Sequence, residues 1–216
     1  MDKAEYWLLD SVVKLPYSLS LLVAENIEVI WNRQGHGLSR VELVQALNRL
    51  FQAGDLYGQG MMRPVTTEPP MPTVAEIEAA LDRRIDIVYG LTSQGGGRWE
   101  EFSRPNWNRY LFAGYSTDPI RGNIISSSKE LAEQQLIMEA AFGRLVVSES
   151  IERETLVPWE ATYWKSLPVG YQIQFLYVPE ERQRRPDPLQ LRERLMKQSQ
   201  WLQYRQGWYR RYSDEE

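Results

Sequence analysis

The chain has no cysteine and a single histidine, His36, among its 216 residues. Without thiols there are no disulfides, no thiolate metal sites and no cysteine nucleophiles. One histidine cannot build a multi-histidine metal centre either. A serine triad would have to recruit His36, which lies in the glycine-flanked "RQGHGL", where a surface or helix-end role suits it better. Long apolar runs are missing too. The longest, residues 21–31, is interrupted by Glu25, Asn26 and Glu28, so it is not a membrane span. The opening "MDKAEYWLLD" is mixed from its second residue and does not read as a signal sequence, so a cytoplasmic location is expected. These absences predict a non-enzymatic protein with no metal, no cofactor and no membrane contact.

With 43% hydrophobic and 25% charged residues, the chain reads as globular, with enough length to bury a core as one or two domains. Its net charge of −4 conceals an asymmetry. Residues 182–212 hold nine Lys/Arg against Asp187 and Glu193, which leaves the remainder at −11. That pattern fits a basic tail docked on an acidic body, and it fits a nucleic-acid arm.

Hydrophobic spacing predicts short helices over 4–14 and 19–33. The clearest helix is "LSRVELVQALNRLFQAGDL". Ser39 and Glu42 form a capping-box pair, and Leu43, Val44, Leu47, Leu50 and Phe51 share one face. Gly54 stands where a left-handed cap is expected. "DLYGQ" reads as a strand, 60–73 as a proline-rich loop, and Thr73 with Glu76 opens another helix. "IDIVYGLT" is a strand candidate, after which Thr92 caps a helix through "RWEEF". Beyond 103 the spacing predicts strands in "YLFAGYS" and "GNIISSS", a helix opened by Ser127 and Glu130 and closed at Gly143, one half-buried strand over 144–157, and another in "YQIQFLYV". Residues 158–170 read as a turn-rich connection. Asp187 caps a last helix that has Pro188 in its first turn.

"LSRVELVQALNRLFQAGDLYG" followed by "DIVYGLTSQGGGRWEEF" resembles a winged helix-turn-helix domain of the MarR and PadR type. Leu47, Leu50 and Gly54 match the helix that leads into the wing, and Leu91, Thr92 and Gly95 match the returning strand and the helix it opens. The resemblance covers roughly residues 1–102. It implies that the 39–52 helix is a recognition helix. Candidate DNA contacts are then Arg40, Gln45, Asn48, Arg49 and Gln52, with Arg63, Arg83 and Arg84 supplied by the wing. The same polar residues also describe an ordinary solvated helix face. Residues 1–102 hold more acids than bases, whereas DNA binding relies on phosphate neutralisation. A protein partner is therefore the alternative, in the manner of an antitoxin or immunity-type inhibitor.

Three other features could carry chemistry. "SQGGGRWEE" lacks the Lys-Ser/Thr of a phosphate loop and the G-x-G-x-x-G of a dinucleotide loop, leaving Arg98 at a helix N-terminus as a candidate anion ligand. Glu149, Glu152 and Glu154 near Trp159, Tyr163 and Trp164 loosely suggest a sugar site, though alternating glutamates commonly form a strand's solvent face. In the tail, Trp201, Tyr204, Arg205, Trp208, Arg210 and Arg211 interleave aromatics with arginines, as single-stranded nucleic-acid binders do. Leu191, Leu195, Met196 and Leu202 instead favour a helix docked on its own domain or on a second subunit. The expectation is a bacterial-type α+β protein. A winged-helix-like domain over 1–103 precedes a small α+β domain over 104–216 with an antiparallel sheet and a C-terminal helix. Its partner is DNA or a protein, and a homodimer is in keeping with the tail.

Overall fold

The computed structural model describes residues 1–31, 34–60, 71–179 and 188–211. Helices and antiparallel sheets are mixed, giving an α+β protein. Its chain divides into two compact units. One is Met1–Arg104 with Thr162–Lys165 and, from the described tail, Arg211; the other is Pro105–Ala161 with Ser166–Arg210.

In the first unit the order is α1 (Lys3–Ser11), β1 (Tyr17–Ser18), α2 (Ile27–Trp31), α3 (Arg40–Gln52), β2 (Leu56–Gly60), α4 (Val74–Leu81), β3 (Ile87–Leu91) and α5 (Ser93–Ser103). The strands form an antiparallel sheet in the order β1-β3-β2. Both capping boxes form as the local sequence dictates. Ser39 N–H donates to Glu42 at 2.8 Å and Thr73 N–H to Glu76 at 2.9 Å. The hydrogen bonds from Ser39 hold the Glu42 carboxyl below its usual range. Gly54 ends α3 with φ +75°, which glycine adopts without steric cost.

The helix expected over 19–33 is not continuous. A 3-10 turn over Leu19–Val23 ends in extended backbone at Ala24, and α2 begins afresh at Ile27. Leu19 and Leu22, one turn apart, are both buried, so a single turn already satisfies the core. That core gathers Leu8, Leu9, Leu43, Leu47, Leu50, Phe51, Tyr89 and Trp99, each 1% exposed or less. Fully burying such a side chain stabilises by about 1.5–3 kcal/mol. Polar atoms inside are matched: Trp99 Nε1 donates to Asp10 at 3.0 Å, and the Ser11 and Tyr89 hydroxyls lie 2.8 Å apart.

Two of the three glycines at the start of α5 serve packing. A Cβ on Gly95 would stand 1.9 Å from the Asp55 carbonyl oxygen, and one on Gly96 would stand 2.1 Å from the Trp164 ring. Gly97 faces open space. Gly97→Ala is therefore expected to raise the stability of this unit by about 0.5–1 kcal/mol, because alanine loses less entropy in a helix. Urea unfolding followed by tryptophan fluorescence checks this, and a lowered midpoint would refute it.

The second unit contains β4 (Leu111–Thr117), β5 (Ile120–Ser126), α6 (Lys129–Met138), β6 (Arg144–Val146), β7 (Glu152–Leu156), most of β8 (Trp159–Thr162) and β9 (Lys165–Leu167), whose Thr162 and Lys165 count with the first, β10 (Gly170–Pro179) and α7 (Pro188–Gln206). Its main sheet runs β4-β5-β10, and both β6 and β7 pair with the far side of β10. Leu111, Ile124, Ile173 and Phe175 of the sheet form the core together with Leu131 and Ala132 of α6.

Three local expectations are corrected here. Ser128, not Ser127, caps α6, because the Ser127 hydroxyl donates to the Trp107 carbonyl at 2.6 Å. The strand expected over 144–157 is split by a 3-10 turn at Ser148–Ser150. Its second half, β7, is an edge strand with Glu152, Arg153, Glu154 and Thr155 all exposed. The connection over 158–170 contains the β8-β9 hairpin. The Asp187 cap lies outside the described residues.

Candidate functional site

On α3, burial of Leu43, Leu47 and Leu50 turns the opposite side to solvent. Val41, Gln45, Asn48, Arg49 and Gln52 follow helical spacing along that side. Val41 is 65% exposed, Gln45, Arg49 and Gln52 are exposed, and Asn48 is half-buried. Four of the expected contact residues are thus brought together. The other candidates stand apart. Arg40, at the first turn, donates to the Glu78 carbonyl at 3.0 Å and to Asp82 at 2.5 Å, both on or next to α4. Arg83 and Arg84 follow the end of α4 rather than lying on a wing strand, and Arg84 pairs with Asp82 at 3.2 Å. Arg63 lies outside the described residues.

Acids of the same unit neutralise the cations around α3. Arg49 Nε lies 3.9 Å from Glu5. Arg98, the candidate anion ligand, bonds Glu5 at 2.6 Å and Asp55 at 2.5 Å. Burial pulls the Arg98 pKa down, but Asp55 and Glu5 more than offset it and hold it above its usual value. Its fork is filled from within. His36 is equally engaged: its Nδ1 accepts from Leu38 N–H and its Nε2 meets the Leu22 carbonyl, both at 3.0 Å.

The residues of the loosely suggested sugar site are not brought together. Glu149, Glu152 and Glu154 are exposed, while Trp159 is buried. Tyr163 and Trp164 belong to the first unit, where Tyr163 Oη donates to the Val12 carbonyl at 2.6 Å and Trp164 Nε1 to the Val13 carbonyl at 2.9 Å. A cleft of about 180 Å³ opens between α6, β7 and β10, but its Arg153 is held bidentately by Glu133 at 2.6 and 3.0 Å.

The tail candidates Trp201, Tyr204, Arg205 and Trp208 are engaged within the second unit. Trp208 is buried, and Trp201 Nε1 and Arg205 Nη1 both donate to Gln135 Oε1, at 2.8 and 3.1 Å. Burial lowers the Arg205 pKa. Tyr204 remains 44% exposed, stacked on Trp201 and under the Arg109 guanidinium. Arg210 and Arg211 are half-buried.

A constellation not read from the sequence lies beneath this tail. Glu139 and Gln135, one helical turn apart, are both fully buried. Glu139 accepts from Tyr115 Oη at 2.8 Å, from Gln135 Nε2 at 2.5 Å and from Arg144 Nε. Burial, then the adjacent carboxylate, push the Tyr115 phenol well above its ordinary range. The carboxylate's oxygens are taken up by these donors, so the cluster reads as a structural support and not as a reactive centre. Among the described residues no group of three acidic, histidine or cysteine side chains is placed to hold a metal ion, and no helix is long and apolar enough to cross a membrane.

No protein-family model, curated protein or solved structure matches the chain.

Proposed function

We propose that the chain is a non-enzymatic, winged-helix-like interaction protein whose α3 face meets a protein partner. The winged-helix part of this reading is supported by order: α3 leads through Gly54 into β2, and β3 returns antiparallel beside it to open α5. The observation that carries the choice of partner is the internal pairing of Arg40, Arg49, Arg84 and Arg98 with acids of their own unit. A DNA-reading surface gains its affinity from cations free to displace counterions. What α3 presents outward is instead a mixed face of Val41, Gln45, Asn48, Arg49 and Gln52, with a polar, weakly charged character that suits a protein surface.

DNA binding is the second reading. It is favoured by the exposed Arg49 and Arg83 and by Gln45 and Asn48, side-chain types that pair with adenine edges. Fluorescence anisotropy with labelled duplex DNA at low salt separates the two. Once salt is raised to the physiological range, the protein reading expects no saturable binding tighter than about 100 μM, the weak end of non-specific affinity. A photo-crosslinker at Gln45 should then yield a discrete protein adduct in cells. Tight binding that falls steeply with salt and is weakened by Arg49→Ala would sink it.

A further inference from the structure

Strand β7 closes one side of the main sheet. It pairs with β10 from Glu152↔Gln174 to Leu156↔Gly170, and among the described residues no strand pairs with its other side. Glu152, Arg153, Glu154 and Thr155 are all exposed, so that side is open to solvent. On such an edge, alternate residues turn N–H and C=O outward, where they can pair with an added strand. The register fixes the side chains. Arg153 lies opposite Ile173 and Thr155 opposite Tyr171, on the side that α6 covers, where Glu133 grips Arg153. Glu152 and Glu154 therefore face the other side. The strand's one cation is taken up by α6, so Glu152, Glu154 and the exposed Glu149 just before them leave a negatively charged edge. On the α6 side the cleft of about 180 Å³ opens beside the strand, lined by Lys129, Ala132, Thr155 and Tyr171 among others.

We propose that β7 is a docking edge for an extended, basic segment of a protein partner, which adds a strand to the sheet. Main-chain pairing then supplies affinity, and side chains on the two faces supply selection. On the outer face, Lys or Arg at alternate positions of the segment meets Glu152 and Glu154. Opposite charges across a strand pair stabilise it, and like charges directly opposite destabilise it. On the α6 face, the residue between two basic positions enters the cleft. A cavity of about 150 Å³ holds a benzene ring, so the cleft has room for a single apolar side chain, and Lys129 selects against a cation there. The same charges turn away the other occupants. A second copy pairing β7 with β7 about Arg153 would set Glu152 opposite Glu154 and Arg153 opposite Arg153, and a nucleic acid would bring its phosphates to the glutamates. The edge belongs to the second unit, so this reading stands apart from the one drawn from α3.

Fluorescence anisotropy of the full chain with a labelled peptide of four Lys-Val repeats tests the proposal, since that peptide shows lysine on one face and valine on the other when extended. Saturable binding that weakens with salt is expected. A peptide of four lysines followed by four valines has the same charge without the alternation, and should bind at least about tenfold more weakly. A peptide of four Glu-Val repeats should not bind. Glu152→Lys/Glu154→Lys should reverse that preference while leaving circular dichroism unchanged, since both positions are exposed. Amide exchange supplies a readout that charge attraction alone does not move: the Lys-Val peptide should slow exchange of the outward amides within residues 152–156. No saturable binding of the Lys-Val peptide, equal binding of the block peptide, or binding without added protection in β7 overturns the proposal. The exchange measurement uses the unaltered chain, so the test stays decisive even if the lysine variant disturbs folding.

Discussion

Replacing Gly95 with alanine is expected to destabilise the first unit by about 3 kcal/mol or more, at or beyond the upper end for overpacking a native core. The added Cβ would stand 1.9 Å from the Asp55 carbonyl oxygen, 2.7 Å from its carbon and 2.9 Å from Cα. All three are backbone atoms and cannot rotate away. That oxygen is also fixed by its own bond, since it accepts from Thr92 N–H at 3.0 Å. The surrounding clasp resists a shift as well: Thr92 Oγ1 donates to the Gly54 carbonyl at 2.6 Å, Gln94 Nε2 to the Ala53 carbonyl at 2.6 Å, and Arg98 holds the Asp55 carboxylate. Separating α5 from the start of β2 would break several of these at once. At Gly96 the obstacle is the Trp164 ring, a side chain that can turn at the cost of its bond to the Val13 carbonyl. The three alanine variants should therefore rank in sequence order: Gly95→Ala worst, Gly96→Ala intermediate, Gly97→Ala stabilising. Urea midpoints read the order directly, and a Gly95→Ala variant as stable as the parent would mean that α5 does not seat on β2 this closely.

This stretch also shows what a sequence can and cannot disclose. Thr92 as a cap, Gly54 as a left-handed terminus and the two capping boxes were legible because every partner lies within three or four residues. Helix α3 was legible because its buried positions repeat with the helical period over thirteen residues. The break at Ala24 was not, since it reflects where the core needs Leu19 and Leu22 and not any breaker residue. The role of Gly96 was hidden because its neighbour, Trp164, is far away in the chain. At the α3 face the candidates Gln45, Asn48, Arg49 and Gln52 could be grouped from spacing alone. That Asp82 holds Arg40 and Glu5 lies beside Arg49 could not, because each pairing depends on how separate helices dock. Glu139 illustrates the same limit. On paper it is one more glutamate in a charged helix, and only the fold surrounds it with Tyr115, Gln135 and Arg144.

That buried carboxylate gives the second large effect: Arg144→Met is expected to cost the second unit about 3–5 kcal/mol, the usual penalty for leaving a buried charge without its partner. Glu139 is fully buried, and the Arg144 side chain is only 22% exposed. The guanidinium also lies 3.9 Å over the Tyr115 ring, so the substitution removes a stacked cation together with the pair. Removing both charges should be gentler. In Glu139→Met/Arg144→Met no ion remains to be desolvated, and apolar replacements for a buried pair are often neutral or better. Here part of the loss should persist, because Gln135, itself fully buried, would lose its nearer acceptor and keep only the longer bond to the Tyr115 hydroxyl at 3.4 Å, with the bonds from Trp201 and Arg205 on its other end. The double variant should therefore fall between the parent and Arg144→Met, with a coupling of about 1–3 kcal/mol across the cycle. Additive costs in that cycle would mean the pair is solvated in solution. If the coupling holds, Gln135 joins Glu139 to Trp201 and Arg205 of α7, so loosening of α7 in Arg144→Met, read by amide exchange across residues 194–205, is the accompanying expectation.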